Sequence, residues 1–330
     1  MAWRIFGSEL SPYSVKVRSY FRYKELPHAW TPRTVQNQAE FDALAKLPLI
    51  PLVVAPDGAV MQDSTPIIEA VEARHPSPSI VPPEAVTAFV SVLLEEWGDE
   101  WLNKPMFHYR WCRPVDQDSA AERIARDMNP ELPADALETV VGAVKHRMVP
   151  RLAFVGSTPA TAPVIEGSFL RVAALLDRHL ATRPYLFGGR PALGDFGVWG
   201  QLYEAWTDPT PGAILRADAP AVCAWIERML TPKAVDDWEP WSALEPTLAP
   251  LLRDEVGAVF FPWTLANARA IAAGEKTFTV TLAGEPFTQD AQRYHAKSLA
   301  ALRGKYAAVG DRAALDGVLS RAGCLEALRG

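Results

Sequence analysis

Two serines three positions apart, in Ser11-Pro12-Tyr13-Ser14, stand where a short apolar run, Trp3 to Phe6, gives way to the helix-like run Val15 to Phe21. A strand, a turn and a helix start in that order leave the first N–H groups of the helix free, and the positive end of its dipole stabilises a nearby anion. The thiolate of a ligand is one such anion, and a serine hydroxyl there can donate a hydrogen bond to it. The dipole contributes about 0.3–1 kcal/mol when exposed and up to about 2 when partly buried. Since a pKa unit is about 1.36 kcal/mol, dipole and hydroxyl together can bring a thiol from about 8.5 toward neutrality. The same Ser-Pro pair also reads as an ordinary helix start, a cap serine with proline in the first turn. Both readings stand on these residues alone, and Ser14 rivals Ser11.

Asp63-Ser64 precedes a second helix-like run, Thr65 to Ala73. A hydroxyl and free N–H groups at a helix start can take a carboxylate, while Asp63 can meet an ammonium; the alternative is again a simple cap. Other constellations lead to bland readings. His108 and Cys112 share a helix face, but zinc needs three or four ligands and no third lies at suitable spacing, so packing and no metal are expected. Glu95, Glu96, Asp99 and Glu100 read as a solvated acidic face. Trp97, Trp101, Phe107, His108, Tyr109 and Trp111 crowd one helix, a stripe more typical of core than of a pocket. Neither a Gly-x-Ser-x-Gly elbow nor a phosphate loop is present.

The elements that must carry these residues fall into three stretches. Up to about residue 80, strands at Trp3–Phe6, Leu49–Ala55 and Val60–Gln62 and an extended piece at His28–Thr34 alternate with helices at Pro12–Tyr23, Gln38–Ala45 and Thr65–Ala73. Asp57-Gly58 is a hairpin turn. The prolines from Pro76 to Pro83 break the chain. Helical patterns then follow at Ala85–Tyr109, Ala120–Met128, Ala134–Phe154, Ile165–Ala181, Phe196–Ala205 and Ala219–Leu230. Beyond about Pro250 come a helix at Leu265–Ala273, an alternating strand at Lys276–Leu282, a turn at Gly284-Glu285-Pro286 and a helix over Thr288–Ala308. The spacing predicts domains at 1–82 and 85–249 and an extension at 250–330 packed on the helical domain.

Composition narrows the function further. With 33 basic against 39 acidic residues, a net charge of −6 and no basic run, nucleic acid is excluded as a partner. Cys112, Cys223 and Cys324 are odd in number and far apart, which points to a reducing compartment. No secretory leader and no long apolar span is evident, so a cytoplasmic protein without a membrane partner is expected.

Ser11-Pro12-Tyr13-Ser14-Val15-Lys16-Val17-Arg18 resembles the first-helix motif of the glutathione S-transferase superfamily, of the serine, zeta-like type. Leu49-Ile50-Pro51-Leu52-Val53 is similar to that family's strand after a cis-proline, and Gln62-Asp63-Ser64-Thr65-Pro66-Ile67-Ile68-Glu69 to its segment for the γ-glutamyl end. The resemblance implies a thioredoxin-like α/β domain followed by an all-α domain, with glutathione as co-substrate and no metal. It implies Ser11, or its rival Ser14, as the group activating the sulfur, and Ile50, Pro51, Asp63 and Ser64 as glutathione-binding residues. Tyr13, Trp101 and His108 are the expected acceptor-pocket residues, for a small, mostly apolar electrophile, and a homodimer is implied. Serine in place of cysteine favours conjugation, isomerisation or elimination over thiol–disulfide exchange. The pattern departs in two places: Lys46-Leu47-Pro48-Leu49 is short and apolar where a polar loop is usual, leaving Lys46 or Arg33 as substitutes, and Ala192 replaces the Ser or Thr three residues before Asp195. The competing reading is a non-catalytic ligand- or protein-binding member of the fold.

Overall fold

A computed structural model describes residues 2–330. The first unit is a four-stranded sheet in the order β2-β1-β3-β4, built from β1 (Trp3–Gly7), β2 (His28–Pro32), β3 (Leu52–Val54) and β4 (Val60–Gln62). β1 pairs parallel with β2 and antiparallel with β3, which pairs antiparallel with β4. The register Phe6↔Leu52↔Gln62 brings the end of β1, the start of β3 and the end of β4 to one end of the sheet. Helices α1 (Pro12–Tyr23), α2 (Gln38–Leu44) and α3 (Ser64–Arg74) complete the unit. α1 starts as the residues predict, with Ser11 at the cap accepting from Ser14 N–H and Pro12 in the first turn.

The rest is helical as expected, with differences in extent. α4 (Ala85–Trp97), a π-helical stretch (Gly98–Leu102) and α5 (Asn103–Cys112) form one unbroken run. α6 (Pro114–Met128) starts earlier than its pattern suggests, because Pro114 suits a first turn. α7 (Ala134–Met148) tightens into a 3₁₀ stretch (Val149–Val155), and α8 (Ala162–Leu180) follows. α9 (Leu193–Thr207) is the buried central helix, and α10 (Pro209–Asp218), not foreseen, joins it to α11 (Pro220–Met229). α9 packs closely on two neighbours: a Cβ on Gly197 would lie 2.8 Å from Glu95 Cα, and one on Gly200 would lie 2.6 Å from the Pro12 carbonyl oxygen.

The boundary expected at 249/250 falls inside a helical run. α12 (Trp241–Leu251), a π-helical stretch (Leu252–Phe260) and α13 (Phe261–Ala273) are continuous, and Pro246 and Pro250 lie within α12. Proline marks a probable end of helix, not an obligatory one. β5 (Thr277–Leu282) and β6 (Glu285–Asp290) form the hairpin, so the expected helix over Thr288–Ala308 starts later, as α14 (Arg293–Ala307). α15 (Ala313–Arg321) and α16 (Leu325–Arg329) close the chain. The extension grips the helical unit through Tyr306, edge-on to Phe89, and also reaches α3 through Lys305–Glu69 at 2.6 Å. No helix among the described residues is long and apolar enough to cross a membrane.

Candidate active site

Because the sheet register gathers three segments at one end, Ser11, the Ile50–Pro51 bond and the Asp63–Ser64 step share that end of the first unit. Ser11 is half-buried; its Oγ accepts from Ser14 N–H at 3.3 Å, which leaves its own O–H to donate outward. The loop before it is held by Arg110, whose guanidinium donates to the Leu10 carbonyl at 3.0 Å. Ser14 is fully buried and its hydroxyl has no partner, so of the two serines Ser11 is the one with access to a ligand. The Ile50–Pro51 peptide is cis. Gln62 clamps the loop before it, accepting from Lys46 N–H and donating to the Leu47 and Leu49 carbonyls, each at 2.8 Å. Arg33 donates to the Pro48 carbonyl and lies over Phe41.

Asp63 holds φ at 74°, a left-handed value unusual for a residue with a side chain, and is exposed. Ser64 is buried at the start of α3, with its hydroxyl 3.4 Å from Lys16 Nζ. Lys16 lies in the same motif as Ser11, yet sequence reasoning gave it no role. Its ammonium is fully buried and bridges Glu95 at 2.5 Å, Asp99 at 2.6 Å and Thr65 at 3.2 Å, tying both units together beneath Ser64. Burial opposes its charge, but Asp99 and Glu95 outweigh burial and hold it above the usual lysine range. Burial pushes Asp99 up to about 7 against the pull of Lys16. The signal was an interruption: a lysine between Val15 and Val17 on a helix that is buried nearly all round.

The acidic quartet is therefore not a solvated face. The fold encloses it, with Glu96 accepting from Ser298 and Glu100 paired with His295 of α14. Burial pushes Glu96 and Glu100 each up to about 8 and His295 down to about 3. Glu95 and Glu96 end α4 and Asp99 and Glu100 lie on the π-helical stretch; the extension that covers them was invisible from these residues.

Next to this quartet lies a cavity of about 220 Å³. Tyr13 of α1, Asp99 and Glu100, Lys104 of α5, and Tyr294 and His295 of α14 face it, so the first unit, the helical unit and the extension all contribute. Tyr13 donates to the Asp99 carbonyl at 3.1 Å. Only Phe154 and Val155 of its lining residues are wholly apolar, although aromatic and alkyl faces make up more of its wall than polar atoms do. Of the acceptor residues foreseen, Tyr13 is there and two are not. Trp101 is fully buried, donates to Ser168 at 2.9 Å and packs on Trp263 and Phe287, which makes it core. His108, one helical turn beyond Lys104, lies outside the lining and is engaged by Ser157 (2.7 Å) and Glu166 (3.1 Å).

His108 and Cys112 do meet a third group, since Glu166 of α8 brings its oxygen within 4.8 Å of both ligand atoms. That contact crosses between helices and could not be read from spacing. Arg113 already sits there, donating to Glu166 at 2.7 Å and to Cys112 Sγ at 3.3 Å, so a guanidinium supplies the positive charge. Asp195, without a serine partner, still caps α9: it accepts from Ala192 N–H (2.9 Å), Leu186 N–H (2.8 Å) and the Trp225 indole (3.1 Å).

Comparison with known proteins follows the same outline. The family model described as glutathione S-transferase, N-terminal domain, matches residues 5–79, and that described as glutathione S-transferase, C-terminal domain, matches 134–228. A search of the curated proteins gives no match. Among solved structures, a glutathione S-transferase from Rhodospirillum rubrum is 18% identical over 74% of this chain and 98% of that one, with a TM-score of 0.45. One from Methylobacterium radiotolerans, in complex with glutathione sulfonate, is 20% identical over 73% and 99%, with a TM-score of 0.42. A glutathione S-transferase-like protein from Pseudomonas syringae is 17% identical over 75% and 73%, with a TM-score of 0.46. With both domain models matched in order and together covering just over half of its residues, the chain belongs to the glutathione S-transferase superfamily.

Proposed function

We propose that the protein binds reduced glutathione at the shared end of its sheet and activates the thiol for attack on an electrophile. The observation that carries this reading is the register Phe6↔Leu52↔Gln62, which brings the segments of Ser11, Ile50–Pro51 and Asp63–Ser64 to one end of the sheet. The Ser11 hydroxyl and the start of α1 hold the thiolate. The Ile50 backbone, oriented by Pro51, pairs with the cysteinyl part. Ser64 and the first N–H groups of α3 take the γ-glutamyl carboxylate, and Asp63 takes its ammonium. Conjugation, isomerisation or elimination can follow; disulfide exchange cannot use a serine.

Calorimetric titration with reduced glutathione tests the reading. Saturable binding is expected, with Ser11→Ala lowering turnover far more than affinity; no heat at millimolar ligand rejects it. A second reading, a non-catalytic partner-binding protein, draws on Leu47 and Leu49, which are 57% and 60% exposed beside the site where a polar loop was expected. Glutathione binding without turnover on any electrophile would favour that one.

A further inference from the structure

The turn that carries Ser11 is anchored from outside its own unit. Ser8 closes it locally, since Ser11 N–H donates to the Ser8 carbonyl and Leu10 N–H to Ser8 Oγ, both at 3.2 Å. Ser8 itself is held by Asp127, in the last turn of α6. The Ser8 hydroxyl donates to Asp127 Oδ2 at 2.5 Å, and Glu9 N–H donates to the same oxygen at 3.2 Å. Burial pushes the Asp127 carboxyl up from its ordinary value, while the bonds from Ser8 and Glu9 pull it down, so these two donors favour its ionised form. The same end of α6 holds the neighbouring loop: the Met128 carbonyl accepts from Val35 N–H at 3.0 Å, and Asn129 Oδ1 from the Gln36 amide at 3.1 Å. Arg33 N–H joins that loop to the turn through the Gly7 carbonyl at 2.8 Å.

We propose that Asp127 is a positioning residue for thiol activation: acting through Ser8, it fixes where the Ser11 hydroxyl points. The proposal rests on the transferase reading above and assigns part of that site to the helical unit. Ser11 Oγ already accepts from Ser14 N–H, so its O–H serves a sulfur only along directions that the turn allows. Ser8 to Ser11 are only half-buried, and a surface turn with few packed contacts moves unless it is tied down. A displacement of about 1 Å at a reacting group can cost about a hundredfold in rate. Arg110, the other anchor from the helical unit, is also bound to the buried carboxylates of Glu204 and Asp208. Its loss would damage the interior, whereas Asp127 is half-buried and holds only the turn.

Asp127→Ala, Asp127→Asn, Ser8→Ala and the double alanine variant are compared with wild type. The thiol of bound reduced glutathione is titrated through the ultraviolet absorbance of its thiolate, and turnover is followed with chloroacetamide, whose chloride leaves with the C–Cl bonding pair as the C–S bond forms. In Asp127→Ala the bound thiol should titrate at higher pH, and kcat should fall roughly tenfold to a hundredfold with a much smaller change in KM for glutathione. Asp127→Asn keeps an oxygen with two lone pairs for Ser8 and Glu9, and should recover most of the rate. Ser8→Ala should reproduce the loss, and the double variant should add little to either single one, because the two residues act in series. An unchanged thiol titration in Asp127→Ala, or losses that add in the double variant, overturns the proposal. Hydrogen exchange over residues 7–14 tests the anchor without glutathione. Faster exchange in Asp127→Ala, restored in Asp127→Asn at an unchanged unfolding midpoint, supports the positioning role even where glutathione fails to bind and the transferase reading falls; unchanged exchange overturns it. If Asp127→Ala does not fold, Ser8→Ala carries the same measurements, and wild-type exchange there overturns it.

Discussion

Ser14 carries a hydroxyl with no partner in a fully buried position, while Ser11 presents its hydroxyl outward. Removing them should therefore separate cleanly: Ser14→Ala leaves turnover near wild type and does not destabilise, because it deletes an unsatisfied buried group. Kinetics and denaturant unfolding of the two alanine variants check this, and a Ser14→Ala enzyme as slow as Ser11→Ala would exchange their roles. Lys16→Met strands Glu95 and Asp99 in the interior; removing one partner of a buried pair costs about 3–5 kcal/mol, readable as a lower denaturation midpoint. Asp63 holds a strained backbone, and such conformations cost about 1–3 kcal/mol and persist at ligand clamps. Asp63→Gly should thus stabilise the apoprotein while weakening glutathione binding in calorimetry. At this scale the sequence was legible where neighbouring residues set the local geometry, as at the helix starts marked by Ser11 and Ser64. Lys16 was missed because its role comes from burial by distant segments, which no local spacing encodes.

Among the elements, α1 and α9 meet where Gly200 has no side chain, and α1 carries Ser11. Gly200→Ala must push the first turn of α1 outward, so it should slow turnover without touching any ligand. The seam between α4 and α14 makes a pH prediction. Glu96 and Glu100, at about 8 in the folded state, bind protons that the unfolded chain releases above about 4.5, so the stability they contribute is lost as pH rises toward 8. His295, lowered to about 3, acts oppositely but only below its unfolded value near 6.5. Lys104, lowered to about 7, regains stability for the fold above that pH, one group against two carboxyls. Limited proteolysis of α14 should therefore quicken between pH 6.5 and 8, and a rate that is flat or falling would discount the seam. Periodicity identified most helices but not their joins: Pro250 reads as a stop, yet packing of Leu244, Leu248, Leu251 and Leu252 carries the helix past it.

Viewed whole, the molecule is an α/β unit and a helical unit bound by the Lys16 knot, with an extension that clasps both. The resemblance reached the first two because their motifs are local; it stopped at the third, whose positions make sense only against α4, α5 and α13. Phe287 and His295 pack on Trp101 and Trp263, so cutting the chain after Gly274 should red-shift tryptophan emission and lower the melting temperature markedly. The Lys16 knot also has a bearing on how the protein is born. Its partners Glu95 and Asp99 lie 79 and 83 residues later in the chain. At a synthesis rate of about 5–20 residues per second, the nascent first unit waits several seconds on the ribosome with its central ammonium unmatched. Vectorial synthesis therefore denies that unit an early finished state, and the first unit matures only when the helical unit has emerged to receive it.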